Sequence, residues 1–401
     1  MRVLILSHDY PPYLVGGAGT FAYSLANALS RKGISVVVMA GCPAGALKTG
    51  VATARTKVSN YLEVIRIPRI DMPPTRLWYQ LMNSNKIRQH LPSFDIVHAQ
   101  DQSAFPIMHY CKKQSPKPWV VTVHDDPVSE LYYGLRSVAS FESSMRDVLD
   151  NVLGFPLSDL AIRVECKLAD ALVPVSQELR NEIQHNYRVD EKRIFTIHNG
   201  INITELENEA KLTTTPEPRT EMINIFYAGR LYWRKGILHL IKSLVHMNRT
   251  LKFTAYQLNI FGEGPLKRTI ASLISKFNLQ KNVKLRGFVT RRELITAMAK
   301  SDIVCVPSLY EACPIAMIEA MILARPLVVF DRPFSKELLR GVPEAPMARS
   351  IQDYGFQLFS LCTSEDLRRE LGSRLRSMAI ERFNVEKTAE KYIELYSSLL
   401  S

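Results

Sequence analysis

Short apolar runs alternate with amphipathic segments along the whole chain, a rhythm that predicts parallel strands joined by helices. In the first half the runs fall at residues 3–6, 34–39, 62–67, 96–99, 119–123 and 171–175, with a strand and turn at 194–202. In the second half they fall at 223–228, 258–261, 283–289, 303–306 and 327–330. Residues 20–31 form an amphipathic stretch before Gly33, a residue suited to a helix C-terminal cap. Residues 129–167 read as mostly helical, and 385–400 as a last amphipathic helix. Between the halves lies a polar stretch containing Thr213, Thr214, Thr215, Pro216 and Pro218, which reads as a linker. A chain of 401 residues exceeds one ordinary core, so the pattern predicts two α/β units.

Residues 303–330 are the most informative part of this pattern. Two apolar runs flank a helical segment at about 314–324, with Pro314 where a first helical position tolerates proline. Glu319 stands there among Ala316, Met317, Ile318, Ala320, Met321 and Ile322. A carboxylate in such company must reach water, a cation or a ligand's donors, because an unpaired buried charge is very costly. The vicinal hydroxyls of a ribose would serve. Glu311 lies on the loop before the helix, beside backbone N–H groups that favour anions. On spacing alone, one loop acid and one acid on a narrow wet stripe is an equal reading.

Other loops carry candidate chemistry. Arg230 offers a planar fork and Lys235 a point charge on one post-strand loop, a pair suited to a diphosphate or simply to solvent. Gly16, Gly17 and Gly19 precede a helix and would let backbone N–H groups approach a phosphate, or form only a tight turn. They do not make the Gly-x-Gly-x-x-Gly fingerprint. His98 and His124 both follow strands, where open α/β sheets bind ligands and where histidines are also often structural.

Glu311 and Glu319 have seven residues between them, within Pro-Ser-x-x-Glu…Pro-x-x-x-x-Glu-Ala-Met. This resembles the Glu-x7-Glu signature of the family 4 glycosyltransferases, retaining enzymes of the B-type fold with two facing Rossmann-like domains across a cleft. Other ordered motifs resemble the family: Gly229-Arg230-Leu231 with Lys235-Gly236, Gly262-Glu263-Gly264-Pro265, Thr122-Val123-His124-Asp125 and Asn199-Gly200-Ile201-Asn202. The resemblance implies transfer of a hexose from a UDP- or GDP-linked sugar to an acceptor hydroxyl. It implies His124, Arg230, Lys235 and Glu311 as catalytic residues. Gly16, Gly17, Gly262, Phe288, Val289, Ile315, Ala316 and Glu319 would bind the donor, with Phe288 or Val289 beside the base. The implied division is 1–204 for the acceptor-side domain, 205–220 for a linker, 221–384 for the donor domain and 385–401 for a helix returning to the first domain. One departure stands out. The family's Gly-Gly turn after this helix is absent, and the chain reads Asp331-Arg332-Pro333-Phe334-Ser335 instead.

Composition narrows the partners. Hydrophobic residues make up 46% and charged residues 22%, as in a soluble globular protein. Cys42, Cys111, Cys166, Cys305, Cys313 and Cys362 are scattered without a Cys-x-x-Cys pair, which argues for reduced cytoplasmic thiols. No run reaches the length of a membrane span, and the N-terminus reads as a first strand rather than a signal peptide. The formal charge of +12 suits phosphorylated substrates or an anionic surface, and no motif favours nucleic acid. Residues 75–88, mixing Trp78, Tyr79, Leu81 and Met82 with Arg76, Lys86 and Arg88, suggest peripheral contact at the inner membrane face, or packing on the first core. No metal or cofactor is expected. The acceptor would be a glycan, a lipid-linked sugar or a small molecule. A soluble glucan or disaccharide synthase of the same fold, and a non-catalytic sugar-nucleotide-binding protein, are the alternatives.

Overall fold

The computed structural model describes residues 1–13, 16–48, 54–69, 75–105, 107–112, 117–139, 145–211 and 222–401, without the side chains of 48, 75–78, 80–81, 102, 139 and 145–151. The chain forms two compact units. The first comprises Met1–Leu131, Asn151–Asn202 and Phe383–Ser401; the second comprises Tyr132–Asp150 and Ile203–Arg382.

The first unit is built on seven strands: β1 (Arg2–Ser7), β2 (Ser35–Pro43), β3 (Arg55–Lys57), β4 (Leu62–Arg69), β5 (Ile96–Gln100), β6 (Trp119–Val123) and β7 (Ala171–Pro174). They lie in the order β3-β4-β2-β1-β5-β6-β7. All neighbours are parallel except β3 against β4. β5, β6 and β7 are buried along their whole length, which is why they read as unbroken apolar runs. β3 is exposed throughout, and its Arg-Thr-Lys sequence carries no apolar signal. The strand expected from residue 194 does not form. Phe195 N donates to Leu172 O and Ile197 N to Pro174 O, but only one isolated bridge, Leu172 to Ile194, results.

The second unit holds six strands: β8 (Ile223–Ala228), β9 (Tyr256–Phe261), β10 (Val283–Gly287), β11 (Ile303–Val306), β12 (Leu327–Phe330) and β13 (Met347–Ala348). Their order is β10-β9-β8-β11-β12-β13, all parallel. Both sheets therefore have the doubly wound character that the periodicity predicts.

Two expected boundaries need correction. Residues 203–211 of the polar stretch are helical, not linker: Leu206 is buried, Glu209 pairs with Arg291 and Glu207 with Arg376. The acids there are ion-pair partners of the second unit, a use that polar composition alone does not reveal. Residues 212–220 of the expected linker lie outside the described residues. The segment Tyr132–Asp150 belongs to the second unit, because Tyr133 stacks on Tyr310 at 4.9 Å and packs with Val138 against Tyr232 and Trp233.

The last helix, Val385–Leu400, supplies Tyr392 and Tyr396 to the core of the first unit. Tyr396 Oη lies 2.6 Å from His98 Nδ1, and His98 Nε2 lies 2.7 Å from Thr122 Oγ1, which Tyr392 also reaches at 2.7 Å. Burial, with a smaller push from His124, pulls the His98 imidazole down to about 3. His98 is thus neutral in the fold and takes up a proton on unfolding below about pH 6.5. Stability on this account is complete above about pH 6.5 and falls by up to ~1.4 kcal/mol per pH unit as pH drops toward the folded value. A thermal scan should show the midpoint falling between pH 7.5 and 5, and falling less in His98→Gln. Equal falls would assign the acid lability to other groups.

Candidate active site

In the second unit the candidate residues sit at the carboxyl ends of adjacent strands, where open α/β sheets expose their loops. β8 delivers Gly229 to Gly236, a loop closed by the short helical turn Trp233–Lys235. Gly236 adopts φ +64, and a Cβ there would fall 1.7 Å from Pro307 O, so only glycine brings this loop against the end of β11. That approach lets Lys235 Nζ donate to Glu311 Oε1, which also accepts from Ser308 Oγ at 3.0 Å. Burial alone would push the Glu311 carboxyl up. The Lys235 ammonium, Arg234 and the hydrogen bonds from Lys235 and Ser308 outweigh it and hold Glu311 below the ordinary carboxylate range. Arg230 is exposed, its guanidinium 5.5 Å from the centre of the Tyr232 ring.

Three backbones meet beside this loop. Gly262, with φ +129, lies so close to Gly229 that an added Cβ would be 2.1 Å from the Gly229 carbonyl oxygen. Gly262 N donates to Gly287 O at 2.8 Å, and Gly229 N to Phe261 O at 3.1 Å. Phe288 follows, 85% exposed, with Val289 half-buried. The structure thus brings Lys235 and Glu311 into contact and ties the backbone of Gly262 to that of Gly229 and Gly287.

Glu319 is placed differently. The helix Ile315–Ile322 begins one residue later than expected, with Pro314 as its N-cap, and Ile315 and Ala316 are half-buried at its start. Met317, Ile318, Ala320, Met321 and Ile322 are all fully buried, as the apolar setting implied. The Glu319 side chain is only 3% exposed, and its Oε1 lies 2.5 Å from Arg291 Nη1. Beyond β12, where the Gly-Gly turn is missing, Asp331 pairs with Lys336 at 2.8 Å and a short helix, Pro333–Leu338, follows.

In the first unit, Gly16 is the extended N-cap of the helix Gly17–Arg31, and both glycines are exposed. Gly16 N donates to Asp9 Oδ2 at 3.0 Å. His124, at the end of β6, packs edge-on against Phe21 of that helix at 5.4 Å. Its backbone N–H donates to Asp101 Oδ1 at 2.7 Å and its Nε2 lies 3.0 Å from Gln100 Oε1. His98 is fully buried and bound by Tyr396 and Thr122, while His124 keeps partial exposure. Against the expectation that both histidines follow strands, His98 lies inside β5, so only His124 stands at a strand end.

Residues 15–205 match the family described as Glycosyltransferase Family 4, and residues 213–341 match Glycosyl transferases group 1. The chain is a glycosyltransferase of the family 4 type. A glycogen synthase of Mycobacterium tuberculosis is 26% identical over 337 residues, covering 82% of this chain and 77% of that one. Sucrose-phosphate synthase from Thermosynechococcus elongatus shares the fold with a TM-score of 0.75 at 17% identity, over 99% of this chain and 98% of that one. The Anabaena protein HepE, in complex with UDP and glucose, does so with a TM-score of 0.71 at 19% identity, over 99% and 100% of the two chains. This glycosyltransferase therefore carries the B-type fold.

Several residues of the glycosyltransferase site escape sequence reasoning. Arg291, Asp9 and Gln100 contact candidate residues but belong to none of the recognised motifs. Only Arg291 had a local signal: Thr290 and Glu293 form a capping box that starts its helix. Among the described residues, no group of three His, Cys, Asp or Glu side chains could hold a metal ion, and no helix is long and apolar enough to cross a membrane. On the helix Thr75–His90, Tyr79 is buried and donates to Met39 O at 2.7 Å, whereas Met82 is exposed. The side chains of Arg76, Leu77, Trp78 and Leu81 lie outside the described residues.

Proposed function

We propose that this glycosyltransferase moves a hexose from a UDP- or GDP-linked sugar to an acceptor hydroxyl with retention of anomeric configuration, and without a metal. The observation that carries this reading is the part-buried Lys235–Glu311 pair, its lysine on the same loop as Arg230, at the carboxyl ends of neighbouring strands. Bond cleavage leaves positive charge on the sugar and negative charge on the departing diphosphate. Lys235 and Arg230 stabilise that diphosphate electrostatically. Glu311 gives up its ammonium partner to the phosphate and turns to the sugar. The exposed Phe288 and the backbone near Gly287 flank the base, and Glu319 accepts from the ribose hydroxyls. In the first unit, the exposed backbone of Gly16 and Gly17 and the part-exposed His124 are the proposed ligand contacts. A glucan- or disaccharide-forming synthase is the second reading, favoured by the likeness to glycogen synthase and sucrose-phosphate synthase.

A screen of UDP, GDP and ADP and their hexoses by thermal shift tests the donor class, since a bound donor stabilises the fold. Glu319→Gln should weaken binding of the stabilising nucleotide by about tenfold to a hundredfold, the loss expected for hydrogen bonds to a charged acceptor. Unchanged affinity in that variant would remove Glu319 from the site. Transfer to oligosaccharides and to simple sugars or sugar phosphates, analysed for product length, then separates the two acceptor readings.

A further inference from the structure

Glu319 does not stand alone. Arg291 is the first residue of the helix Arg291–Lys300, and it reaches two carboxylates at once. Nη1 lies 2.5 Å from Glu319 Oε1, and Nε lies 3.5 Å from Glu209 Oε2. Glu209 belongs to the helix Ile203–Lys211, the first element of the second unit after the chain leaves the first. One guanidinium therefore serves two acids, and the trio keeps one excess negative charge. Such a set suits neutral hydroxyl donors and opposes an additional anion. A carboxylate offers about four lone-pair sites, so an Arg on one oxygen leaves room for a diol.

We infer that Arg291 is a positioning residue, which orients Glu319 toward the donor's vicinal hydroxyls and, through Glu209, ties the helix Ile203–Lys211 to nucleotide occupancy. The inference rests on the proposed contact of Glu319 with the ribose. Its physical basis is the surroundings of Glu319. Glu205 and Glu209 face this cluster from the helix Ile203–Lys211, and Arg291 from the helix Arg291–Lys300. Arg376, on the helix Glu365–Arg382 packed against the Glu319 helix, is engaged by Glu207 and the Ile322 carbonyl. Without Arg291, Glu319 loses the ion pair that holds its carboxylate in place.

The test is calorimetric titration of the full chain with UDP and with 2′,3′-dideoxy-UDP between pH 6 and 8. The parent should prefer UDP by about tenfold or more, with little change across this range. Glu319→Gln should lose most of the preference at every pH. Arg291→Gln should lose most of it, whereas Arg291→Lys, which keeps one charge, should retain most of it. Glu209→Gln should keep the preference but lose the UDP-dependent protection of amides 203–211 from hydrogen exchange. A parent that binds UDP and 2′,3′-dideoxy-UDP equally ends the ribose reading itself; one that binds neither is titrated with GDP and its dideoxy form on the same criterion. A parent and Glu319→Gln that behave as expected, with Arg291→Gln preferring UDP fully at all pH values, would overturn the role of Arg291 alone. Should Arg291→Gln not fold, an Arg291→Lys variant that loses the preference as completely as Glu319→Gln would overturn it. Equal protection of 203–211 in the parent and Glu209→Gln would overturn the helix tie.

Discussion

Lys235→Ala is expected to lower sugar transfer by about a hundredfold to a thousandfold, the usual cost of removing a preorganised partner for transition-state charge. The charge on the departing diphosphate grows as the bond breaks, so the loss should fall on kcat more than on donor affinity. Lys235 is 26% exposed and Glu311 only 9%, so the substitution also leaves an acid deprived of its main cation. Ser308 still donates to Glu311, and Arg234 remains near enough to favour its charge. The stability cost should accordingly stay at about 1–3 kcal/mol. Adding Glu311→Gln to Lys235→Ala removes the stranded charge and should recover stability without recovering turnover. Initial rates and unfolding midpoints of the two variants decide the matter. Transfer at the parent rate in Lys235→Ala would reduce the basic loop to a surface feature.

Gly262→Ala should be, with Gly236→Ala, among the most damaging single methyls in the second unit. The residue combines φ +129 with a Cβ position 2.1 Å from the Gly229 carbonyl oxygen and 3.0 Å from its carbon. Neither obstacle is a flexible side-chain end, so the loops after β8 and β9 must separate. The expected cost is about 3 kcal/mol or more, joining backbone strain to a steric clash. Separation would also move Arg230 and Lys235 off the sheet end, abolishing nucleotide binding before the unit unfolds. Chemical denaturation with intrinsic fluorescence, read beside nucleotide titration, tests both parts. Parent-like stability and affinity in Gly262→Ala would show that these loops have slack that the close approach denies.

The parallel strands were legible because both faces of each sheet are covered, which leaves long apolar runs such as Trp119–Val123 and Leu327–Phe330. β3 was not legible, because the exposed edge of Arg55, Thr56 and Lys57 buries no apolar side chain and is held by backbone pairing and the Arg55–Glu63 ion pair. Glu319 announced itself as one acid in an apolar helix. Its partner did not, since an Arg on a polar helix start looks like any solvated cation until the fold brings 291 to 319. The same limit hid the helix Ile203–Lys211, whose acids balance cations more than eighty residues further along the chain. His98 lies inside β5, paired across the sheet with Ile5 and Val120, whereas His124 follows β6. Tyr396 and Thr122 hold His98 in the core, while His124 keeps partial exposure.

The continuous stretch Ile203–Arg382 holds all six strands of the second unit, yet the first unit is completed by a helix that follows it. Ile201 and Phe383 exchange a backbone hydrogen bond at 2.8 Å, and Val385 returns one to Ile201 at 3.0 Å. Gly200 packs so tightly that a Cβ would meet Val385 Cα at 2.6 Å. The first unit is therefore closed only once residues 383–401 are in place; without them the places of Tyr392 and Tyr396 stay unfilled and His98 lacks its tyrosine. Nascent chains arrested before residue 385 should thus carry an open apolar face on the first unit, a target for chaperones that the full-length protein no longer presents.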